Sequence, residues 1–258
     1  MGTWPAEAIW EAVAPLLPGF TVDVLPEIDS TNTELMRRAR AGQTDPVLLV
    51  AERQSAGRGR LGRQWASAPG DSLTFSLGLT LAPADWSGLS LAVGVAVAES
   101  LHPAVQLKWP NDLWLQGRKL GGILVETASF SGAQGPAGRY AVVGVGLNLA
   151  PRAAEGLSTP PAWLRELQPA AQAGEVLLAV APPLVQALQG FAALGFAPFQ
   201  ARFAARDALR DAAVVLSDGT AGTAHGVTAT GALLVHTPAG MQVVASSEVS
   251  VRPAPAGR

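Results

Sequence analysis

Two hydrophobic rhythms alternate along this chain, one helical and one extended. The helical rhythm comes first: Ile9, Val13, Leu16 and Leu17 fall on one side of an amphipathic helix predicted over residues 4–17. Thr31 and Glu34 then form a T-x-x-E capping box that opens a second helix, and Gly42 ends it. "VLLVAE", Val47 to Glu52, is a continuous apolar run that predicts a buried strand. Leu73, Phe75, Leu77 and Leu79 alternate with small or polar residues, which predicts a strand over Ser72 to Thr80. Leu89 to Leu101 is apolar all round and predicts a buried helix, stopped by Pro103.

From Val105 the extended rhythm returns. A strand over Val105 to Trp109 is interrupted by a turn at Pro110, Asn111 and Asp112. Leu113 and Leu115 resume it, "QGRK" turns it, and "LGGILVETAS" forms the next strand. Tyr140 to Ala150 predicts a further buried strand running into Gly144, Gly146 and Asn148. Pro151 to about Asp211 reads as Ala/Leu-rich helix, broken at Pro182-Pro183 and at "LGFAPF". After Ala212 the pattern becomes short, alternating and punctuated by Asp218-Gly219, Thr230-Gly231 and Ala239-Gly240. It predicts a small antiparallel barrel of about five strands, with the tail "APAGR" frayed. The expected division is residues 1–211 and 212–258.

Composition narrows the chemistry. A net charge of −2 gives no global attraction to nucleic acid or a membrane surface. The longest apolar stretch, Leu89 to Leu101, is shorter than a membrane span and contains Glu99. No basic n-region precedes an apolar run at the N-terminus, so a cytoplasmic protein is expected. The absence of cysteine excludes disulfides, thiolate metal sites and a cysteine nucleophile. His102, His225 and His236 are scattered and fit no metal spacing. The cations are more informative. The chain has two lysines, Lys108 and Lys119, against sixteen arginines. Arginine replaces lysine freely on a solvated surface, but not where a compact ammonium is required.

The densest chemistry lies in "SAGRGRLGRQW", Ser55 to Trp65. Gly57, Gly59 and Gly62 have G-x-G-x-x-G spacing, yet a strand follows the loop and no acid stands about twenty residues on, so the dinucleotide reading fails. A glycine loop carrying Arg58, Arg60 and Arg63 suits an anion instead, because free backbone N–H groups and guanidinium forks both bind phosphate or carboxylate. No G-x-x-x-x-G-K-[ST] occurs, which excludes a P-loop kinase. Asn111 and Asp112, side by side in a broken strand, suit a metal–phosphate corner or an ordinary turn. Lys119 opens a strand with Gly121 and Gly122 just after it, where a ligand can approach the backbone. Ser30, Thr31 and Asn32 serve as a helix cap or face a ligand. Asn148 stands at a glycine turn or offers an exposed amide to a base edge.

Together these stretches resemble the biotin protein ligase family. Gly57-Arg-Gly-Arg-Leu-Gly-Arg-Gln-Trp65 is similar to its GRGRxGRxW loop, and Lys108-Trp-Pro-Asn-Asp112 to its KWPND motif. Lys119-Leu-Gly-Gly-Ile-Leu-Val-Glu126 resembles its KxxGILxE motif, and Gly144-Val-Gly-Leu-Asn148 its GxGxN. Ser30-Thr31-Asn32 and Gln54 match by type and order, and the resemblance covers roughly residues 27 to 258. It implies an α+β fold: a catalytic domain like that of class II aminoacyl-tRNA synthetases, with a mixed sheet flanked by helices, then an SH3-like barrel. It also implies that biotin and Mg·ATP give biotinyl-5′-adenylate, whose acyl group passes to one lysine of a carboxylase carrier domain.

The resemblance assigns the site residue by residue. Lys119 touches the biotin carboxylate and the bridging phosphate, and Arg58 closes over the adenylate. Arg60 meets both the biotin and the adenylate, Arg63 meets phosphate or ribose, Trp65 stacks on adenine, and Asn148 bonds the base. Ser30, Thr31, Asn32 and Gln54 pair with the ureido ring, with Gly57 and Gly122 beside the biotin. Asn111 and Asp112 sit near Mg2+ and the incoming lysine. Bifunctional members carry an N-terminal winged helix-turn-helix of about sixty residues; only 26 residues precede the substrate-reading segment here, so no operator binding is expected. The rivals are a lipoate-type ligase, which lacks this arginine loop, an octanoyltransferase, which needs a cysteine, and a non-catalytic biotin sensor. The sequence leaves open whether the protein forms a homodimer.

Overall fold

The computed structural model describes residues 4–129, 138–152, 159–245 and 251–253. A seven-stranded sheet forms its centre. In chain order its strands are β1 (Thr21–Ile28), β2 (Val47–Gln54), β3 (Ser72–Leu81), β4 (Gln106–Lys108), β5 (Asp112–Leu115), β6 (Arg118–Ala128) and β7 (Arg139–Asn148). Their spatial order is β1-β2-β3-β7-β6-β5-β4; β1 and β2 run parallel and every other pair is antiparallel.

Both faces of the sheet are covered, and the period-two alternation of strand side chains shows how. Leu48 and Val50 of β2, with Ala141 and Val143 of β7, join the main core. Helices α1 (Ala6–Val13), α3 (Leu89–Leu101) and α4 (Ala173–Leu194) build that side. The intervening Val47, Leu49, Tyr140 and Val142 point the other way, onto Leu35 and Ala39 of α2 (Thr31–Arg40). A short helix, α5 (Gln200–Ala204), leads to β8 (Ala213–Leu216), β9 (Ala221–Val227), β10 (Leu233–Thr237), β11 (Gly240–Val244) and β12 (Val251–Pro253). These form a five-stranded antiparallel sheet in the order β11-β10-β9-β8-β12. The expected division at 211/212 falls in the connection between α5 and β8. The frayed tail expected at residues 254–258 lies outside the described residues.

Four sequence expectations need correction. The first helix ends at Val13, so Leu16 and Leu17 pack on the core from beyond it. β1 was not expected at all; it is a sheet edge whose residues are mostly half-exposed, so neither face is marked clearly. Ser30, not Thr31, caps α2: it is extended (φ −160°, ψ 133°) and its side chain accepts from the Thr33 N–H at 3.4 Å. Glu34 pairs with Arg37 and Arg38 instead of closing a capping box. Finally, α4 runs straight through Pro182 and Pro183. Each proline removes an N–H, but Val180, Ala181, Leu184 and Val185 around them are buried, and that packing holds the helix together. By length and composition α4 could cross a membrane; here it packs on α1 and α3 as a core helix.

Candidate active site

One cavity opens beside the middle of the large sheet, walled by the glycine–arginine loop, the start of α2 and strands β3 to β7. Its neutral end is a buried chain of hydrogen bonds. Gln54 Oε1 accepts from the Thr31 backbone N–H at 2.7 Å and from its hydroxyl at 3.1 Å. Ser76 Oγ lies 2.7 Å from Thr31 Oγ1 and 2.6 Å from Asn32 Oδ1. Asn32 Nδ2 donates to the Leu124 carbonyl and to Glu126 Oε2. Ser30, Thr31, Asn32 and Ser76 are all nearly inaccessible to solvent. Asn32 fits because Gly144 faces it: a Cβ there would lie 2.1 Å from Asn32 Oδ1. Moving the cap to Ser30 makes Thr31 the first helical residue, so its side chain and N–H meet Gln54 at the cavity wall.

The opposite end is cationic. Arg60, Arg63, Lys108, Lys119 and Arg152 line it, and Asp112 is the sole carboxylate among the described residues lining the cavity. Lys119 reaches Asp112 through a β-bulge. Trp114 faces Lys119 across β5 and β6 while Leu113 faces Gly121, so Leu120 is an extra residue. Such a bulge re-aims the side chains around it. Lys119 Nζ accordingly donates to Asp112 Oδ1 at 2.7 Å, beside Gly122, where a Cβ would stand 3.4 Å from Nζ. The Lys119 backbone is pinned as well: its N–H donates to the Pro160 carbonyl and its carbonyl accepts from the Ala162 N–H. Asn111 is fixed to β6 by exchange with Ile123, and Arg60 donates to its Oδ1 at 3.4 Å. Burial lowers the pKa of the Arg60 guanidinium; Asp112 opposes the shift and Arg63 adds to it. An arginine starts high enough to stay charged through such a shift.

The loop itself is held open to the cavity. Gly57 accepts the Trp65 N–H at 2.8 Å, and a Cβ on it would lie 2.3 Å from the Trp65 carbonyl oxygen. Trp65 lies against Gly146, where a Cβ would come within 2.4 Å of its ring. Its indole N–H is buried with no partner.

The cavity gathers Ser30, Thr31, Asn32, Gln54, Arg58, Arg60, Arg63, Trp65, Asn111, Asp112, Lys119, Gly122 and Asn148. Three expectations change. Gly57 shapes the loop from behind and does not line this cavity. Asn148 is not exposed: it is buried, and its Nδ2 donates to the Lys119 and Ala162 carbonyls. Arg58 is paired with Glu126 at 2.9 Å and donates to Thr33 Oγ1, which places its guanidinium at the α2 side. Sequence reasoning gave no role to Ser76, Glu126 or Arg152. Thr74, Ser76 and Gly78, small or polar between the apolar residues of β3, were the available signal for the first.

The geometry agrees with what the chain is similar to. A model described as the biotin/lipoate A/B protein ligase family matches residues 24–148, and one described as the biotin protein ligase C terminal domain matches residues 213–252. The bifunctional ligase/repressor BirA of Escherichia coli is 36% identical over 249 residues, covering 92% of this chain and 76% of that protein. The biotin–[acetyl-CoA-carboxylase] ligase of Paracoccus denitrificans is 34% identical over 244 residues, covering 88% and 98%. A solved biotin protein ligase from Aquifex aeolicus, in complex with biotin and ATP, superposes with a TM-score of 0.76 at 30% identity, covering 90% and 99%. Matched by both family models and more than 30% identical to relatives that it covers over most of their length, this chain belongs to the biotin protein ligase family.

Proposed function

We propose that this protein joins biotin to ATP as biotinyl-5′-adenylate and then passes the biotinyl group to a lysine of a carboxylase carrier domain. One observation carries the reading: one cavity has a buried hydrogen-bonding wall of hydroxyls and amides at one end and five cations with one carboxylate, Asp112, at the other. The neutral end suits a cyclic urea, whose N–H and C=O groups cannot be buried unpaired. Ser30, Thr31, Asn32 and Gln54 supply hydroxyl and amide partners there.

The cationic end suits the reaction. A biotin carboxylate oxygen attacks the α-phosphorus of ATP, the bond to the bridging oxygen breaks, and pyrophosphate leaves. Both reactants are anions, so fixed cations must bring them together and stabilise the charge that develops. Lys119, on a rigid strand and held at both backbone groups, is the positioned point charge. Arg60 and Arg63 supply forks for the phosphates. The carrier amine then attacks the acyl carbon and AMP leaves. No covalent enzyme intermediate is required, in keeping with a chain that lacks cysteine.

Mg2+ enters with the nucleotide. Among the described residues no cluster of three His, Cys, Asp or Glu could hold a resident ion. Asp112 is the carboxylate in reach, and Mg2+ typically needs only one or two from the protein beside substrate phosphates.

The test is the intact mass of an apo biotin carrier domain incubated with this protein, Mg·ATP and, separately, biotin, lipoate or octanoate. A gain with biotin alone, abolished by changing the carrier lysine, is the expected outcome. A gain with lipoate would move the assignment to a lipoate-type ligase. No gain in any tube would remove the ligase reading.

A further inference from the structure

The seat that this reading gives to adenine is filled here by one of the protein's own side chains. The Arg152 guanidinium lies over the Trp65 ring, 5.6 Å from its centroid. Its Nη1 donates to Asn148 Oδ1 at 3.1 Å. Asn148 Nδ2 is already committed to two backbone carbonyls, so Oδ1 is the part of the amide that meets the cavity. A flat π-system over Trp65 and an N–H donor to Asn148 Oδ1 are the two contacts an aminopurine would make with these residues. The guanidinium, also planar and also a donor, reproduces both.

Arg152 is weakly secured in that position. Burial lowers the pKa of its guanidinium, and no carboxylate among the described residues offsets the shift. Five more cations line the same cavity. Desolvation and like charge therefore oppose one cation–π contact and one hydrogen bond, each of modest strength.

We propose that Arg152 is a place-holder for the nucleotide base: in the ligand-free protein its guanidinium occupies the adenine subsite on Trp65 and Asn148, and the base binds by exchange with it. The proposal rests on the assignment of Trp65 and Asn148 to the nucleotide. A base with an exocyclic amine can take over the bond to Asn148 Oδ1.

The experiment is calorimetric titration of adenosine into the biotin-saturated wild type and its R152A, R152K and W65A variants. Adenosine is uncharged, so the lost cation does not bias the comparison. R152A should bind adenosine about five- to thirtyfold more tightly, which is the competition one cation–π contact and one hydrogen bond can supply. R152K should fall between the two, because an ammonium lacks the flat fork. Unchanged or weaker binding by R152A overturns the proposal, and if R152A fails to bind biotin then R152K decides in the same way. The W65A arm tests the underlying assignment: it should weaken adenosine binding in every case. If W65A binds like wild type, or no variant binds adenosine, the subsite assignment fails and the place-holder fails with it.

Discussion

Lys119 is one of two lysines in a chain that otherwise uses arginine, and its surroundings explain why a guanidinium would not serve. The ammonium sits 2.7 Å from Asp112 and in van der Waals contact with the space above Gly122. A planar guanidinium there would spread its charge away from one point. Lys119→Ala is therefore expected to slow adenylate formation on the order of 10² to 10³, comparable to losing one fixed oxyanion donor. Lys119→Arg should recover little of it. Pyrophosphate exchange at saturating biotin measures both, and an alanine variant within about threefold of wild type would remove Lys119 from the chemistry. At this scale the site was largely legible in the sequence. Identity and spacing mark a cation loop, two lysines and a polar pair, and the structure gathers them around one cavity. The partners were not legible: nothing in the string pairs Lys119 with Asp112, Arg58 with Glu126 or Arg152 with Trp65. Those pairings depend on how the loop, the bulged strand and the segment after β7 meet in space, which is set by contacts distant in sequence.

Elements carry the next layer. The bulge at Leu120 sets the direction of Lys119, and the one-residue shift of the α2 cap delivers Thr31 to Gln54. Both are displacements of a single residue, below what periodicity resolves. The edge strand β1 and the uninterrupted α4 were missed for a related reason: edge burial is partial, and long-range packing outweighs what proline costs locally. The strands and helices with strong rhythms, β2, β3, β7 and α3, were legible because burial dictates those patterns directly. The approach of α2 to β7 shows how tightly elements set the neutral wall. Gly144 has no side chain because Asn32 fills that space, and a Cβ would lie 2.1 Å from Asn32 Oδ1. Gly144→Ala must push α2 outward or break the bonds from Asn32 to Leu124 and Glu126. It should cost about 1–3 kcal/mol of stability in urea unfolding, as overpacking does. It should also raise the KM for biotin more than the KM for ATP; equal effects on both would show that the wall is not specific to one end.

The whole molecule is held together where the C-terminal sheet meets the main core, and two residues there make opposite demands. Asp207 lies between α5 and β8, buried, with Oδ1 accepting the Leu209 N–H and Oδ2 unpaired. Burial raises its pKa, which backbone bonding from Leu209 and the charge of Arg210 only partly oppose. A raised folded-state pKa means that folding takes up a proton. The stabilisation it brings is complete below the unfolded value of about 4 and is lost as pH rises through the folded one. Asp207→Asn keeps the bond to Leu209 and removes the buried charge. It should be more stable than wild type near neutrality, by on the order of 1 kcal/mol, with the gap closing as pH falls toward about 4. Urea unfolding across that range reads the gap directly, and a constant difference would show that Asp207 does not titrate with folding. Gly231 makes the closer contact. It adopts φ +82°, accepts the Trp109 indole N–H at 3.0 Å, and a Cβ on it would lie 2.7 Å from the Gly88 Cα at the start of α3. Trp109 is fully buried and precedes Pro110, Asn111 and Asp112, so the C-terminal sheet braces that wall of the cavity and also lends Val251 to its lining. Gly231→Ala is strained in its backbone and blocked in space. It should cost about 2–4 kcal/mol, the sum of a left-handed alanine and an overpacked contact. Because the brace acts on the Asn111–Asp112 turn, pyrophosphate exchange should also fall in conditions where the variant is fully folded, while adenosine binding at Trp65 and Asn148 is kept. Loss of both together would mean that the second sheet supports the fold as a whole and not that wall of the site.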